Sequence, residues 1–236
     1  MACETKVYNT ESVYNQSSLY KTSSVYKDIK EGYNVPYFSD FTNFNTIDLY
    51  DVPIIGRKEY VKNHQNLIYS KSSIVYGGNT VDALKVTQPG GNIAATDEMF
   101  NFGGRNYEIE LIQFIEKLSY DPNFSIWLNI GSTWFGYCIY HTSGNIMILS
   151  QSSNYSLYNG ASYYHTSGGY YWVNTGVSGA APLKTKITTN GNEVNFFIEG
   201  ILKLSIVLGD VFMNCLNFSP RLGKSFYMTE LKINWV

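Results

Sequence analysis

Paired carboxylates would be the most informative groups in this sequence, because two of them about 5 Å apart can hydrolyse a glycosidic bond with retention. The best run for such a pair is 107–116, in which Glu108, Glu110 and Glu116 share one strand face by alternation. Glu108 and Glu116 are roughly 26 Å apart along an extended strand, too distant to cooperate. We therefore predict three solvated side chains, no catalytic residue and no enzyme.

The chain has three histidines and three cysteines: His64, His141, His165, Cys3, Cys138 and Cys215. Their spacing matches neither a metal site nor a disulfide framework. Asp97, Glu98 and Asp210 are too scattered to build a calcium loop. We predict no metal, no cofactor, and buried free thiols at Cys138 and Cys215.

Aromatic side chains crowd residues 155–172, together with Asn, Ser and Gly. Flat rings stack on sugar C–H groups while neutral donors and acceptors pair with hydroxyls, and protein interfaces use the same residue types. The sequence does not separate these two uses. The predicted ligand-binding residues are Tyr163, Tyr164, Tyr170, Tyr171 and Trp172, with Trp134 and Tyr137 as second choices.

One pentapeptide, Tyr-His-Thr-Ser-Gly, occurs twice, at 140–144 and at 164–168. Two equal turns can bind one repeating ligand. They can equally be two good turn sequences on successive hairpins, and both interpretations stay open.

Composition excludes several classes of partner. The net charge is -2 and charged residues make up 15% of the chain, which favours neither nucleic acid nor an anionic membrane. The 21 tyrosines and 13 phenylalanines argue against disorder in the body of the chain. The apolar stretch 194–218 contains Glu199, Lys203 and Asp210, so we predict no membrane span. The first six residues lack the apolar core of a signal peptide.

Short strands separated by turns fill the sequence from Leu67 onward. The predicted strands are 83–86, 107–115, 125–131, 135–140, 146–150, 184–188, 194–198, 201–208 and 226–236. Asn190-Gly191 predicts a tight hairpin, and Glu199-Gly200 predicts a second one. Many short strands at roughly 8–12-residue spacing predict an all-β sandwich or jelly roll.

The N-terminal segment is a repeat with a period of six residues. Its aliphatic and tyrosine positions are Val7, Tyr8, Val13, Tyr14, Leu19, Tyr20, Val25 and Tyr26. An even period places all the aliphatic residues on one face of an extended chain. One copy cannot bury that face, so we predict self-association, as a homotrimer, or anchoring to a partner. A flexible tail is the alternative. We divide the chain into an anchoring segment (1–40), a connector (41–66) and a sandwich domain (67–236).

The sandwich domain resembles laminin-G-like and other concanavalin A-like domains. Three segments resemble the end of those domains: Asn195–Gly200, a following segment at 204–209 or Leu222-Gly223, and a closing strand at 226–236. Residues 83–86 and 107–114 are similar to the early strands. Glu199 stands where the family usually has Asp. The resemblance implies a concanavalin A-like jelly-roll sandwich.

The tandem Val-Tyr hexads, followed by a charge-poor body, resemble virion fibre proteins of crAss-like and related tailed phages. This implies a structural protein of the virion surface, a head fibre or decoration protein. Its tail would bind capsid or other virion proteins, and its sandwich would face host glycans. A secreted or cell-surface carbohydrate-binding module is the alternative.

Overall fold

The computed structural model describes residues 37–39, 67–89, 97–100, 106–221 and 223–235. The described residues form strands and connecting turns and contain no helix. The prediction of an all-β chain is confirmed. Accordingly, no helix of this part of the chain could cross a membrane. The hexad repeat and the whole predicted connector (41–66) lie outside the described residues.

The described residues form sixteen strands. Their bounds are β1 (Tyr37–Ser39), β2 (Ile68–Tyr76), β3 (Asn79–Thr87), β4 (Asp97–Phe100), β5 (Tyr107–Ile115), β6 (Asn123–Ile130), β7 (Thr133–Ile139), β8 (Asn145–Ser150), β9 (Tyr155–Leu157), β10 (Ser162–Ser167), β11 (Tyr170–Ser178), β12 (Leu183–Asn190), β13 (Glu193–Ile198), β14 (Ile201–Val207), β15 (Met213–Phe218) and β16 (Ser225–Trp235).

Two antiparallel sheets face each other as a jelly-roll sandwich. The nine-stranded sheet has the order β2-β3-β16-β5-β12-β13-β14-β9, and β1 pairs with the second half of β16. The seven-stranded sheet has the order β10-β11-β8-β7-β6-β15-β4. Alternating residues of both sheets meet in one core. Ring centroids of Phe135 and Phe196 lie 5.4 Å apart across the sheets, and those of Phe218 and Phe226 lie 5.3 Å apart.

Both two-residue hairpins predicted from the sequence are present. In the first, Asn190 pairs with Glu193, so the loop is Gly191-Asn192, with φ of 63° at Gly191. Glycine at the first loop position is the requirement of a type II′ turn. The loop therefore lies one residue later than the Asn-Gly pair suggested.

The second hairpin places Glu199 in the left-handed region, with φ of 50°. Side chains other than Asn and Asp seldom adopt this conformation. Here the carboxylate holds the turn: Lys184 N–H donates to its Oε1 at 2.6 Å, and the Tyr76 hydroxyl donates to its Oε2 at 3.1 Å. The residue that departs from the family pattern thus links β12, the turn and β2.

The carboxylates considered for catalysis lie on the nine-stranded sheet. Glu108 pairs with Lys186 at 2.7 Å, and Glu110 pairs with Lys184 at 3.1 Å. Glu116 accepts hydrogen bonds from Ser225 N–H and the Tyr227 hydroxyl. Each of these three carboxylates therefore has a partner within the sheet.

Candidate functional site

A groove of about 630 Å³ crosses the outer face of the seven-stranded sheet. Its aromatic lining consists of Phe124, Trp127, Trp134, Tyr170 and Trp172, and its polar lining includes Ser167, Asn217, Ser219 and Arg221. β6, β7, β8, β15 and the β10–β11 hairpin all contribute to it. This groove is the candidate functional site.

Alternation explains part of this face. In β7, Phe135, Tyr137 and Ile139 point into the core between the sheets, so Trp134 and Gly136 lie on the opposite side. In β15, Leu216 and Phe218 occupy the core in the same way, and Asn217 lies outward.

A register shift in β6 adds a further ring. Ile126 and Leu128 belong to the core, and strict alternation would place Phe124 beside them. The pairing of β6 with β7 shifts between Phe124 and Trp127. An extra residue of this kind reverses the faces that follow it. As a result, Phe124 packs with Leu149 and Trp172 on the outer face, next to Trp127.

Gly136 leaves the space that the indole ring of Trp127 occupies. The two residues are register partners across β6 and β7. A Cβ atom at Gly136 would lie 2.7 Å from two ring atoms of Trp127 and 2.9 Å from a third. Since real Cβ atoms do not approach so closely, the indole can hold this position only above a glycine.

One row of register partners runs across the whole sheet. From β4 to β10 it reads Glu98, Asn217, Trp127, Gly136, Leu149, Trp172 and His165. Residues opposite one another in antiparallel strands share a face. From Asn217 to Trp172 the row crosses four strand spacings, about 19 Å. The groove follows this row, so its length suits a chain molecule better than a single small ring.

The rings of the groove hold one another in place. Trp127 stacks on Phe124 at 5.4 Å between centroids and meets Tyr170 edge-on at 5.1 Å. Trp172 stacks on His165 at 5.1 Å with an interplanar angle of 16°. Trp172 is only 8% exposed. Its ring therefore packs beneath the groove and offers little surface to a ligand. Trp127, Trp134 and Tyr170 are half-buried, and part of each ring is accessible.

Two polar atoms at the groove have no hydrogen bond although they are buried: Oδ1 of Asn217 and Nε of Arg221. A buried polar atom without a partner costs about 1–3 kcal/mol. Asn217 Oδ1 is an acceptor and Arg221 Nε is a donor. Both atoms are covered by neighbouring protein atoms, so a ligand meets Asn217 and Arg221 through the parts of these half-buried side chains that face the groove.

The seven residues predicted to bind ligand do not form one site. Trp134, Tyr170 and Trp172 line the groove. Tyr163 and Tyr164 are half exposed on the edge strand β10. Trp134, Tyr170 and Trp172 therefore belong to the outer face and Tyr164 to its edge, whereas Tyr163 is the register partner of the core residue Val173 and lies on the opposite side of the sheet.

The other two predicted residues lie elsewhere. Tyr171 packs against Tyr155 of β9, with centroids 5.9 Å apart. Tyr137 is fully buried between the sheets, 6.1 Å from the Phe196 ring, and burial raises the pKa of its hydroxyl. This position corrects the choice of Tyr137, because its ring faces away from the groove. Trp134 and Tyr137 are three positions apart on one strand, so alternation already placed them on opposite faces.

Sequence reasoning missed four residues of the site. Trp127 had a signal, since placing Ile126 and Leu128 inward leaves it outward. Phe124 had none, because its face depends on the register shift. Asn217 and Arg221 come next to Trp127 and Phe124 only through long-range pairing of β15 with β6.

The two copies of the pentapeptide meet at one end of this face. The rings of Tyr140 and Tyr164 lie 5.1 Å apart, and Tyr140 also contacts Trp172 at 5.9 Å. The first copy forms the turn between β7 and β8. The second copy lies mainly in β10 and only its glycine enters a turn, so the interpretation as two equal turns is wrong for this copy.

No protein-family model and no curated protein matches the sequence. Among solved structures, a glycoside hydrolase family 16 protein of the Bacteroides ovatus mixed linkage glucan PUL is 11% identical, with a TM-score of 0.52; the match covers 84% of this chain and 99% of that chain. A family 16 endo-glucanase from Bacteroides ovatus is 12% identical, with the same coverage and a TM-score of 0.51. The carbohydrate-binding module CBM66 from Bacillus subtilis is 5% identical and covers 72% of this chain and 95% of that chain, with a TM-score of 0.43.

The fold is a jelly-roll sandwich of the concanavalin A-like type. The likeness to the two family 16 structures confirms the fold expected from the strand pattern. At such low identity it shows the fold alone.

The same comparison contradicts the prediction that the chain is not an enzyme, since both of these similar structures are glycoside hydrolases. That prediction rested on the lack of a carboxylate pair along one strand. The argument was incomplete, because a register row also brings residues of different strands side by side. Glu98 occupies the first backbone position of the row that the groove follows.

Proposed function

We propose that this chain binds a carbohydrate chain in the groove of the seven-stranded sheet. The observation that carries the proposal is the combination of accessible rings at Trp127, Trp134 and Tyr170 with the half-buried amide of Asn217, whose Oδ1 has no hydrogen bond. Sugars present C–H groups to aromatic faces and hydroxyl donors to neutral acceptors. Both needs are met within one row of the sheet.

The size and stiffness of the groove support this proposal. Its volume of about 630 Å³ lies in the usual range of ligand sites. The rings are locked by mutual contacts and by the fit of Trp127 over Gly136. A site that is already ordered loses little conformational entropy on binding.

The fold also supports a sugar ligand. The two family 16 structures are complexes, one with a G4G4G3G product and one with G4G3G-2F-DNP. A jelly-roll sandwich of this kind therefore accommodates oligosaccharides in those proteins. The alternative use of the aromatic face is contact with another protein, which a sugar-binding assay separates from the proposal.

A glycan array tests the proposal with wild type, Trp127→Ala and Tyr158→Ala. Tyr158 is an exposed aromatic residue that does not line the groove, so it is the matched control. We expect wild type and Tyr158→Ala to bind the same glycans and Trp127→Ala to lose at least about tenfold in affinity, the loss of one good stacking contact. Near-UV circular dichroism checks that each variant is folded.

Two results of this array would contradict the proposal: wild type binds no glycan, or folded Trp127→Ala binds as wild type does. Release of reducing ends from each bound glycan, with Glu98→Gln as the comparison variant, separately measures whether the groove also cleaves its ligand.

We also propose to which assembly the domain belongs. The N-terminal hexads join copies as a trimer and attach them to capsid or other proteins of a phage virion. This part of the proposal rests on the hexad pattern; the pairing of Tyr37–Ser39 with residues 231–233 of β16 ties the segment that follows the hexads to the sandwich.

The proposed trimer is tested by light scattering of the full chain and of a chain that lacks residues 1–36 but keeps β1. We expect a trimer and a monomer respectively. Two monomers would contradict it and would favour the alternative, a secreted or cell-surface carbohydrate-binding module.

A further inference from the structure

We propose that the carbohydrate bound in the groove is acidic and that Arg221 holds its negatively charged group. This inference rests on the proposed function and names the class of its ligand. Among the described residues that line the groove, Arg221 is the one with a cationic side chain.

Arg221 is held at the end of the groove by its backbone and its stem. Its N–H donates to Oδ1 of Asn123 at 2.9 Å, and Asn123 is itself fully buried. The guanidinium Cζ lies 5.0 Å from the centroid of Phe124. Such a contact with a ring face favours a cation. The charge is therefore positioned before any ligand arrives.

The guanidinium of Arg221 has no hydrogen bond to a described residue, and its side chain is 40% exposed. Its Nε atom is buried. Arginine has five N–H donors in a planar fork that matches a carboxylate. Since Nε is covered by protein and the side chain is 40% exposed, the Nη groups are the part of the fork that meets solvent and that a ligand carboxylate can reach.

Asp121 is the carboxylate nearest to Arg221 among the described residues, and it does not fill this role. Its Oδ2 lies 3.8 Å from Nε, beyond hydrogen-bonding distance, and both side chains are about 40% exposed. An exposed ion pair of this kind is weak. Asp121 instead acts as a competitor, because its negative charge opposes an anionic ligand at the same position.

The other polar residues of the lining narrow the class of ligand further. Ser167, Asn217 and Ser219 are neutral, so within the described lining the positive charge lies at Arg221. A neutral glycan would give the guanidinium only water or hydroxyl acceptors, whereas the carboxylate of a uronic acid would form a charge-assisted hydrogen bond. A purely structural Arg221, packed on Phe124, would affect stability and leave the preference between acidic and neutral sugars unchanged.

Calorimetric titration of the full chain distinguishes these two roles. The ligands are oligosaccharides of galacturonic, glucuronic and mannuronic acid, each beside its carboxyl-reduced neutral form, and a sulfated galactan. The variants are Arg221→Gln, Arg221→Lys and Asp121→Asn, with Trp127→Ala to report on the groove itself.

We expect at least one acidic oligosaccharide to bind about tenfold or more tightly than its reduced form, the effect of a hydrogen bond to a charged group. Arg221→Gln should abolish this preference, and Arg221→Lys should keep part of it. Asp121→Asn should strengthen acidic binding a few-fold and leave neutral binding unchanged. Tighter binding of the sulfated galactan than of every uronic acid would assign the charge to sulfate.

Equal binding of acidic and neutral forms, or an unchanged preference in Arg221→Gln, would overturn the inference. If Trp127→Ala then still loses neutral glycans, the proposed function stands without it. If wild type binds no glycan at all, both fail. Should Arg221→Gln not fold, Arg221→Lys and Asp121→Asn decide the question, because opposite effects of these two variants are required.

Discussion

The outer faces of the two sheets are built from the same alternation, yet they differ in how their polar groups are paired. On the nine-stranded sheet, Glu108 and Glu110 form ion pairs with lysines of neighbouring strands. On the seven-stranded sheet, the groove contains Asn217 Oδ1 and Arg221 Nε without hydrogen bonds. On the first face Glu108 and Glu110 are paired within the sheet, whereas at the groove Asn217 Oδ1 and Arg221 Nε have no hydrogen bond and the nearest carboxylate, Asp121, lies 3.8 Å from Nε.

The two faces also differ in how their apolar side chains cover the sheet. On the nine-stranded sheet, Ile74, Ala83 and Ile112 are buried under partly exposed neighbours that include Phe114 and Tyr227. On the seven-stranded sheet, the rings of Trp127 and Tyr170 cover the sheet but leave a groove between themselves and β15. We infer that ligand binding belongs to the second face.

Gly136→Ala should have the largest effect, because the new Cβ would overlap the Trp127 ring. Overpacking of this kind costs about 1–3 kcal/mol. The variant should lose glycan binding and unfold at lower urea concentration than wild type. Gly209→Ala is the control, since a Cβ there meets no atom within 4 Å. A Gly136→Ala protein that binds glycans as wild type does would show that the position of Trp127 above Gly136 is unimportant for binding.

Tyr137→Phe should have a smaller effect of opposite sign. The hydroxyl of Tyr137 is buried in the core without a hydrogen bond, so its removal relieves a desolvation cost without creating a large cavity. We expect the free energy of unfolding, measured in urea, to rise by up to about 1 kcal/mol. Glycan binding should not change, because this ring faces away from the groove. Loss of binding on this substitution would restore Tyr137 as a ligand contact.

Glu108→Gln should have the smallest effect. The ion pair with Lys186 is partly exposed, and such pairs contribute about 0.2–1 kcal/mol. We expect a slightly lower stability at low salt, little difference at high salt, and unchanged affinity for every glycan. A clear loss of affinity would move the binding site to the nine-stranded sheet.

Much of the fold could be predicted from local sequence patterns. The Asn190-Gly191 and Glu199-Gly200 pairs placed two hairpins, and alternation in β5 and β6 placed their buried residues. These signals are local: a turn needs particular backbone angles, and a strand has a period of two. The order of strands in the sheets has no such local signal, because it depends on pairing between distant segments, as between β5 and β16.

The site was less predictable, for two physical reasons. Density of aromatic residues indicated 163–172, but density does not distinguish exposed rings from buried ones such as Trp172. The register shift between Phe124 and Trp127 moved a ring to the outer face without any change in composition. Arg221 reached the groove through its contact with Phe124, far away in sequence.

Nuclear magnetic resonance of the full chain, titrated with the best ligand of the glycan array, tests the central claim most directly. We predict that the largest backbone amide shifts fall on Trp127, Gly136, Tyr170 and Asn217, the residues of the groove. Amides of Glu108 and Lys186 on the other sheet should not move. Shifts concentrated on the ion-paired face, with the groove unperturbed, would contradict the account.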